Sequence, residues 1–112
     1  MSHIKISPAD GTWEARVGDQ VIARSSAVLE LREGSYPPVL YFPRTDADAS
    51  LLDRTSRAST CPHKGAASYY SVAAPDRRLD NVIWSYETPK ADVAAIAGHL
   101  AFYTDRVALV QV

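Results

Sequence analysis

The sequence predicts a mainly β fold, a compact antiparallel single domain with one short helix near residues 89–97. Three observations carry this expectation. The apolar residues fall in short runs rich in Val, Ile, Tyr and Trp, types that suit a pleated, half-buried surface. Gly, Pro and Asp turn signals separate those runs. Only one segment has helical spacing, and it is long enough for about two turns. At 112 residues and 46% hydrophobic composition, the chain fits one domain that can bury a core without disulfides or metals.

From Thr12 to Ser25, two β-type runs flank Gly18-Asp19, a pair suited to a tight hairpin turn. Ala27 to Arg32 alternates, which places Leu29 and Leu31 on one face and Glu30 and Arg32 on the other. Pro37 and Pro38 exclude a helix interior or a central strand, so residues 35–38 are a stiff turn into the extended run from Val39 to Phe42, which Pro43 stops. The stretch from Asp46 to Asp53 has room for one helical turn bearing Leu51 and Leu52, and the polar stretch from Arg54 to Thr60 carries no signal of either kind. Ala67 to Ala73 and Asn81 to Glu87 read as antiparallel neighbours around a Pro75-Asp76 turn. In residues 89–97, Pro89 opens a helix, Val93 and Ile96 share a face, and Gly98 closes it. The tail from Arg106 to Val112 is a last strand. Roughly eight short strands and one helix make an antiparallel assembly.

The 12 Lys and Arg against 13 Asp and Glu leave a formal charge of -1, so no global field draws the chain to nucleic acid or to a membrane surface. No apolar run approaches the roughly 20 residues of a membrane span, and the start lacks a signal peptide's hydrophobic stretch. A cytoplasmic location is the expectation, and the single cysteine, Cys61, agrees with a reducing compartment. No Walker loop, dinucleotide glycine fingerprint or metalloprotease motif occurs, so no cofactor is expected.

Several segments, in this order and spacing, resemble the domain-of-unknown-function family numbered 427 over nearly the whole chain. They are Tyr36-Pro37-Pro38, the run from Tyr41 to Asp46, Cys61-Pro62-His63-Lys64-Gly65 with Ala67-Ser68-Tyr69-Tyr70, Trp84-Ser85-Tyr86, and the run from Ile96 to Val107. The resemblance implies a tent-like fold of two antiparallel sheets splayed around a cleft. It also brings a nucleotidyltransferase label sometimes given to the family. That chemistry needs paired carboxylates for magnesium and a loop that cradles phosphates, whereas residues 46–53 read as a solvated turn. Tent-like folds often hold zinc through two Cys pairs. This chain has one Cys and three His, so no metal is expected.

The same segments contain the candidate site. Cys61 is followed within three positions by His63 and Lys64, groups that lower a thiol's pKa, so it is either a nucleophile or a small core residue before a proline turn. His63 and Lys64 are the better candidates for ligand-facing donors. Arg44, at a strand end, suits bidentate capture of a carboxylate or phosphate, or pairs with a nearby acid. Tyr41, Tyr69, Trp84, Tyr86 and Tyr103 are candidate pocket walls, with sheet packing as the alternative for each one singly. His99, past the helix end, reads as structural. Two functions follow: a cleft for a small anionic ligand, with Cys61 or His63 available for chemistry, or a noncatalytic module that assembles as a homodimer through the edge of residues 108–112.

Overall fold

The computed structural model describes residues 3–112, and it is mainly β. Among the described residues ten strands follow one another: β1 (Ile4–Pro8), β2 (Trp13–Val17), β3 (Gln20–Ser25), β4 (Leu29–Glu33), β5 (Val39–Tyr41), β6 (Leu52–Cys61), β7 (Gly65–Ala74), β8 (Arg77–Ser85), β9 (Ala101–Phe102) and β10 (Ala108–Gln111). They form three antiparallel sheets rather than two, in the orders β1-β4-β5, β10-β2-β3 and β6-β7-β8-β9. The expected hairpin joins β2 to β3. Val17 pairs with Gln20, and Gly18 has φ +58° while Asp19 does not turn positive, the pattern of a II′ turn.

The four-stranded sheet is the shared wall of the molecule. Antiparallel partners lie on one face, so Tyr69, Trp84 and Ala101 form one row across β7, β8 and β9, and Tyr70, Ile83 and Phe102 form the row behind it. The second row joins a core cluster with Ala15, Val17 and Ile22 of the β2–β3 hairpin. The first joins a cluster with Leu31 and Tyr41, packed on by Ile4, Ile6 and Val39 of the β1-β4-β5 sheet. Two apolar layers therefore sandwich one sheet, which is why β7 and β8 are apolar on both faces.

Three elements differ from the sequence expectation. The helix near residues 89–97 is a kinked 3-10 segment, Ala91–Ile96, because Val93 leaves helical geometry (φ -123°, ψ 26°) to bury its side chain along with Ile96. Such a segment holds better in short pieces than an isolated two-turn α-helix would. The turn within residues 46–53 is present as a 3-10 turn, Ala49–Leu51, capped by Asp48, but Leu52 already belongs to β6. Residues 54–60, which carry no β signal of their own, are strand because β7 pairs with them across a bulge between Arg54 and Ala58. Tertiary pairing overrides weak propensity there.

One residue ties the sheets together. Phe42, fully buried, donates its N–H to Leu100 O (2.8 Å) and accepts from Leu100 N–H (2.7 Å), and its ring packs edge-on against Phe102 with centroids 5.3 Å apart. This pairing joins the end of β5 to the start of β9, so the β1-β4-β5 sheet is seamed to the four-stranded sheet along one side. Phe42→Ala should lower unfolding free energy by about 3–5 kcal/mol in urea melts. A loss near 1 kcal/mol would mean that the seam repacks around the smaller side chain.

Candidate functional site

Beside the Phe42 seam a cleft of about 280 Å³ lies between the two sheets. Leu31, Glu33, Val39 and Tyr41 come from the β1-β4-β5 side, with Tyr36 and Pro37 from the turn before β5. Lys64, Tyr69, Trp84, Tyr86 and Tyr103 close the other side. Six of the seven residues expected to bind a ligand thus share one cavity: Tyr41, Lys64, Tyr69, Trp84, Tyr86 and Tyr103. Sheet register explains the wall. Tyr69 and Trp84 are cross-strand partners on the face turned to β4 and β5, while Tyr41 follows Val39 at a two-residue interval. The rings meet in series, Tyr41 edge-on to Trp84 at 6.5 Å and Trp84 tilted against Tyr103 at 4.8 Å.

Arg44 is the exception. It lies on the other face of the four-stranded sheet, where its guanidinium donates to Tyr70 Oη (2.7 Å), stacks over the Tyr70 ring at 4.9 Å and pairs with Glu87 at 3.5 Å. Arg54 and Ser68 complete that cluster around the Glu87 carboxylate. Arg44 therefore serves the alternative the sequence left open, pairing with an acid. The acid is Glu87 rather than its near neighbour Asp46, whose carboxylate accepts from Ser25 Oγ at 2.6 Å.

Sequence reasoning missed Glu33, although the signal was present. Leu29, Leu31 and Glu33 alternate, so the third falls on the same inward face as the two leucines. A carboxylate there needs a partner. Lys64, itself only 8% exposed, donates its ammonium to Glu33 Oε1 at 2.6 Å. That hydrogen bond is the main cause of a Glu33 pKa below the ordinary carboxylate range, with burial opposing it and His3 adding a smaller push in the same direction.

Cys61, half-buried at the end of β6, accepts from Lys64 Nζ at 3.7 Å. Its polar neighbour is therefore Lys64, whose charge is already shared with Glu33. His63 turns outward instead, its ring edge-on to His3 with centroids 4.8 Å apart. His3 Nε2 in turn lies 3.2 Å from Glu33 Oε2. His3, Glu33 and His63 thus bring two imidazoles and a carboxylate together at the rim of the cleft, all their ligating atoms within 4.8 Å of one another. His99 contacts the Ala97 carbonyl and takes no part.

A protein-family model described as Domain of unknown function (DUF427), labelled NTP_transf_9, matches residues 5–112. The chain belongs to this family. No curated protein matches it. The transferase part of the DUF427 label calls for carboxylates aimed at a metal-bound phosphate, but the Asp46 carboxylate accepts from Ser25 Oγ on β3, and Asp48 accepts from Ser50 N–H and Oγ within its own turn. Glu33 is the carboxylate that lines the cleft.

The phenols of the cleft are shielded from water unequally. Burial pushes Tyr41 up to about 12, against a weaker opposing effect of the Trp84 N–H, and burial also raises Tyr86 and Tyr103. A phenol whose folded pKa exceeds its unfolded value near 10 stabilises the fold fully below pH 10, and the contribution is lost as pH rises toward 12. Alkaline denaturation should therefore steepen from about pH 10 upward, and Tyr41→Phe should flatten that slope when stability is measured by urea titration from pH 8 to 11.5. An unchanged slope would place the titrating groups elsewhere.

Proposed function

We propose that the chain is a small-molecule binding domain whose site is the aromatic cleft between the β1-β4-β5 sheet and the four-stranded sheet. What carries the reading is convergence: six aromatic side chains from both walls and a shielded Lys64–Glu33 pair line one concave space. Aromatic packing alone would close the space, whereas Tyr86, though only 8% exposed, has no hydrogen-bond partner for its hydroxyl among the described residues. That hydroxyl is not sealed from solvent, and it stands free to hydrogen-bond a ligand's polar atom.

Charge narrows the ligand class. With Arg44 on the far face and the Lys64 ammonium neutralised by Glu33, the cleft offers no net positive charge to a strongly anionic group. The fit is to a compact, flat or apolar body carrying one neutral or zwitterionic polar head, the body against Trp84 and the head toward Tyr86 and Lys64. Binding is the function assigned; the chemistry that Cys61 and His63 suggested has no shared geometry here, since the first faces Lys64 and the second His3.

A thermal-shift panel of neutral, zwitterionic and anionic metabolites tests this. A ligand at about 100 times its dissociation constant adds roughly 2.7 kcal/mol, a rise on the order of 10 °C for a domain of this size. In a Trp13→Phe background Trp84 is the sole indole, so the same hit should change its fluorescence, and Tyr86→Phe should weaken binding about tenfold. Hits confined to phosphates, or hits indifferent to both Tyr86→Phe and Trp84→Ala, would refute the assignment.

A second reading starts from a sheet edge. Strand β10 is the edge of its sheet, and Trp13, Leu40, Phe102 and Leu109 line a wider trough of about 720 Å³ that runs on from the cleft, sharing Glu33, Tyr36, Val39, Trp84 and Tyr103 with it. Self-association of two copies along that edge would cover it. Light scattering over a dilution series should then show a dimer that Leu109→Lys dissociates, and a monomer mass at every concentration would eliminate this reading.

A further inference from the structure

The rim cluster carries an inference of its own. His3 precedes β1, Glu33 ends β4, and their backbones are cross-strand neighbours: Ile4 pairs with Glu33, and Gly34 N–H donates to His3 O at 3.1 Å. His63 arrives from the turn between β6 and β7, on the opposite wall of the cleft. Three donors from two sheets thus meet where the sheets are not seamed. Ordinary packing accounts for the His3–Glu33 contact. It gives no reason for a second exposed imidazole to lie edge-on to the first from across the cleft.

We propose that His3, Glu33 and His63 form a divalent-metal site, suited to zinc, that clasps the two sheets at the rim of the cleft. Two imidazole nitrogens and one carboxylate oxygen are a donor set zinc accepts, and three protein ligands leave a coordination position open. Tetrahedral zinc with bonds of about 2.0–2.2 Å sets its ligand atoms roughly 3.3 Å apart. His3 Nε2 and Glu33 Oε2 are already 3.2 Å apart, and the widest separation, within 4.8 Å, closes through movement of exposed imidazoles. Glu33 is oriented for the task, because Lys64 holds Oε1 and leaves Oε2 turned to the histidines. The Lys64 ammonium also repels a cation, so it holds the affinity down. The open coordination position adjoins the cleft that Glu33 lines, but the site itself does not depend on a cleft ligand.

The rival donor to exclude is Cys61, whose Sγ accepts from Lys64 Nζ at 3.7 Å. The test is a calorimetric titration of the untagged protein with zinc, paired with thermal melting and with the visible spectrum of the cobalt(II) form. One ion per chain and a melting temperature that climbs with zinc concentration are expected. His3→Ala and His63→Ala, both at exposed positions and checked for unchanged metal-free melting, should each lower affinity by more than the roughly 10–100-fold that loss of an outer-shell partner costs. Lys64→Met should raise it. Cys61→Ser should leave affinity unchanged, and the cobalt form should lack a thiolate charge-transfer band. Absence of saturable one-to-one zinc binding, His variants that bind like the wild type, or loss of binding in Cys61→Ser would each overturn the assignment.

Discussion

The architecture depends on the reciprocal pairing of Phe42 with Leu100. Two sheets packed face to face ordinarily approach to about 10 Å and fill the space between with side chains. Here the β1-β4-β5 sheet is stitched to β9 at one edge by two short backbone hydrogen bonds, with the Phe42 ring buried in the layer behind. Fixing one edge sets the angle between the sheets. Tyr41 next to the seam, and Tyr69, Trp84 and Tyr86 beyond it, supply the bulk that lines the opening between the two sheets.

The second constraint is the Lys64–Glu33 pair, which stands across that opening. Withdrawing two charges from water costs several kcal/mol each, and a half-shielded pair returns much of that through its hydrogen bond without a large surplus. Its more certain effect is positional. Lys64 sits in the turn after Cys61, whose shape is set by Lys64 N–H donating to Cys61 O and by Lys90 N–H donating to Lys64 O. Anchoring the Lys64 side chain to the end of β4 brings this turn against the opposite sheet, and with it His63. The pair therefore explains both the polar end of the cleft and the meeting of the two histidines.

How much of this was legible in the sequence depended on the range of the signal. The β2–β3 hairpin and the β7–β8 pair were readable because their turns, Gly18-Asp19 and Pro75-Asp76, are local and chemically explicit. The strand β6 was not, because residues 54–60 are polar and owe their extended form to β7 alongside them. Resemblance to the DUF427 family singled out the aromatic residues that prove to share a cavity, but it also promoted Arg44, which shares their segment and not their face. Tyr41 faces the cleft, whereas the Phe42 ring and the Arg44 guanidinium both turn to the Tyr70 side of the sheet. Glu33 shows the converse: alternation from Leu29 placed an acid on a buried face, a local signal with a physical meaning that needs no partner to be known.

The same geometry bears on why the transferase label and the structure sit uneasily together. Phosphoryl chemistry concentrates charge, and sites for it pair cations with phosphate-facing donors and acidic metal ligands. This chain spends its charges in mutual neutralisation. Glu14 is flanked by Arg16 and Arg24, Glu87 by Arg44 and Arg54, and Glu33 by Lys64. What remains in the cleft is a set of phenols, those of Tyr41, Tyr86 and Tyr103 raised in pKa by burial, and one indole, surroundings that present shape and single hydrogen bonds rather than a field. Any reactive chemistry would have to enter at its rim, where the two histidines and Glu33 meet.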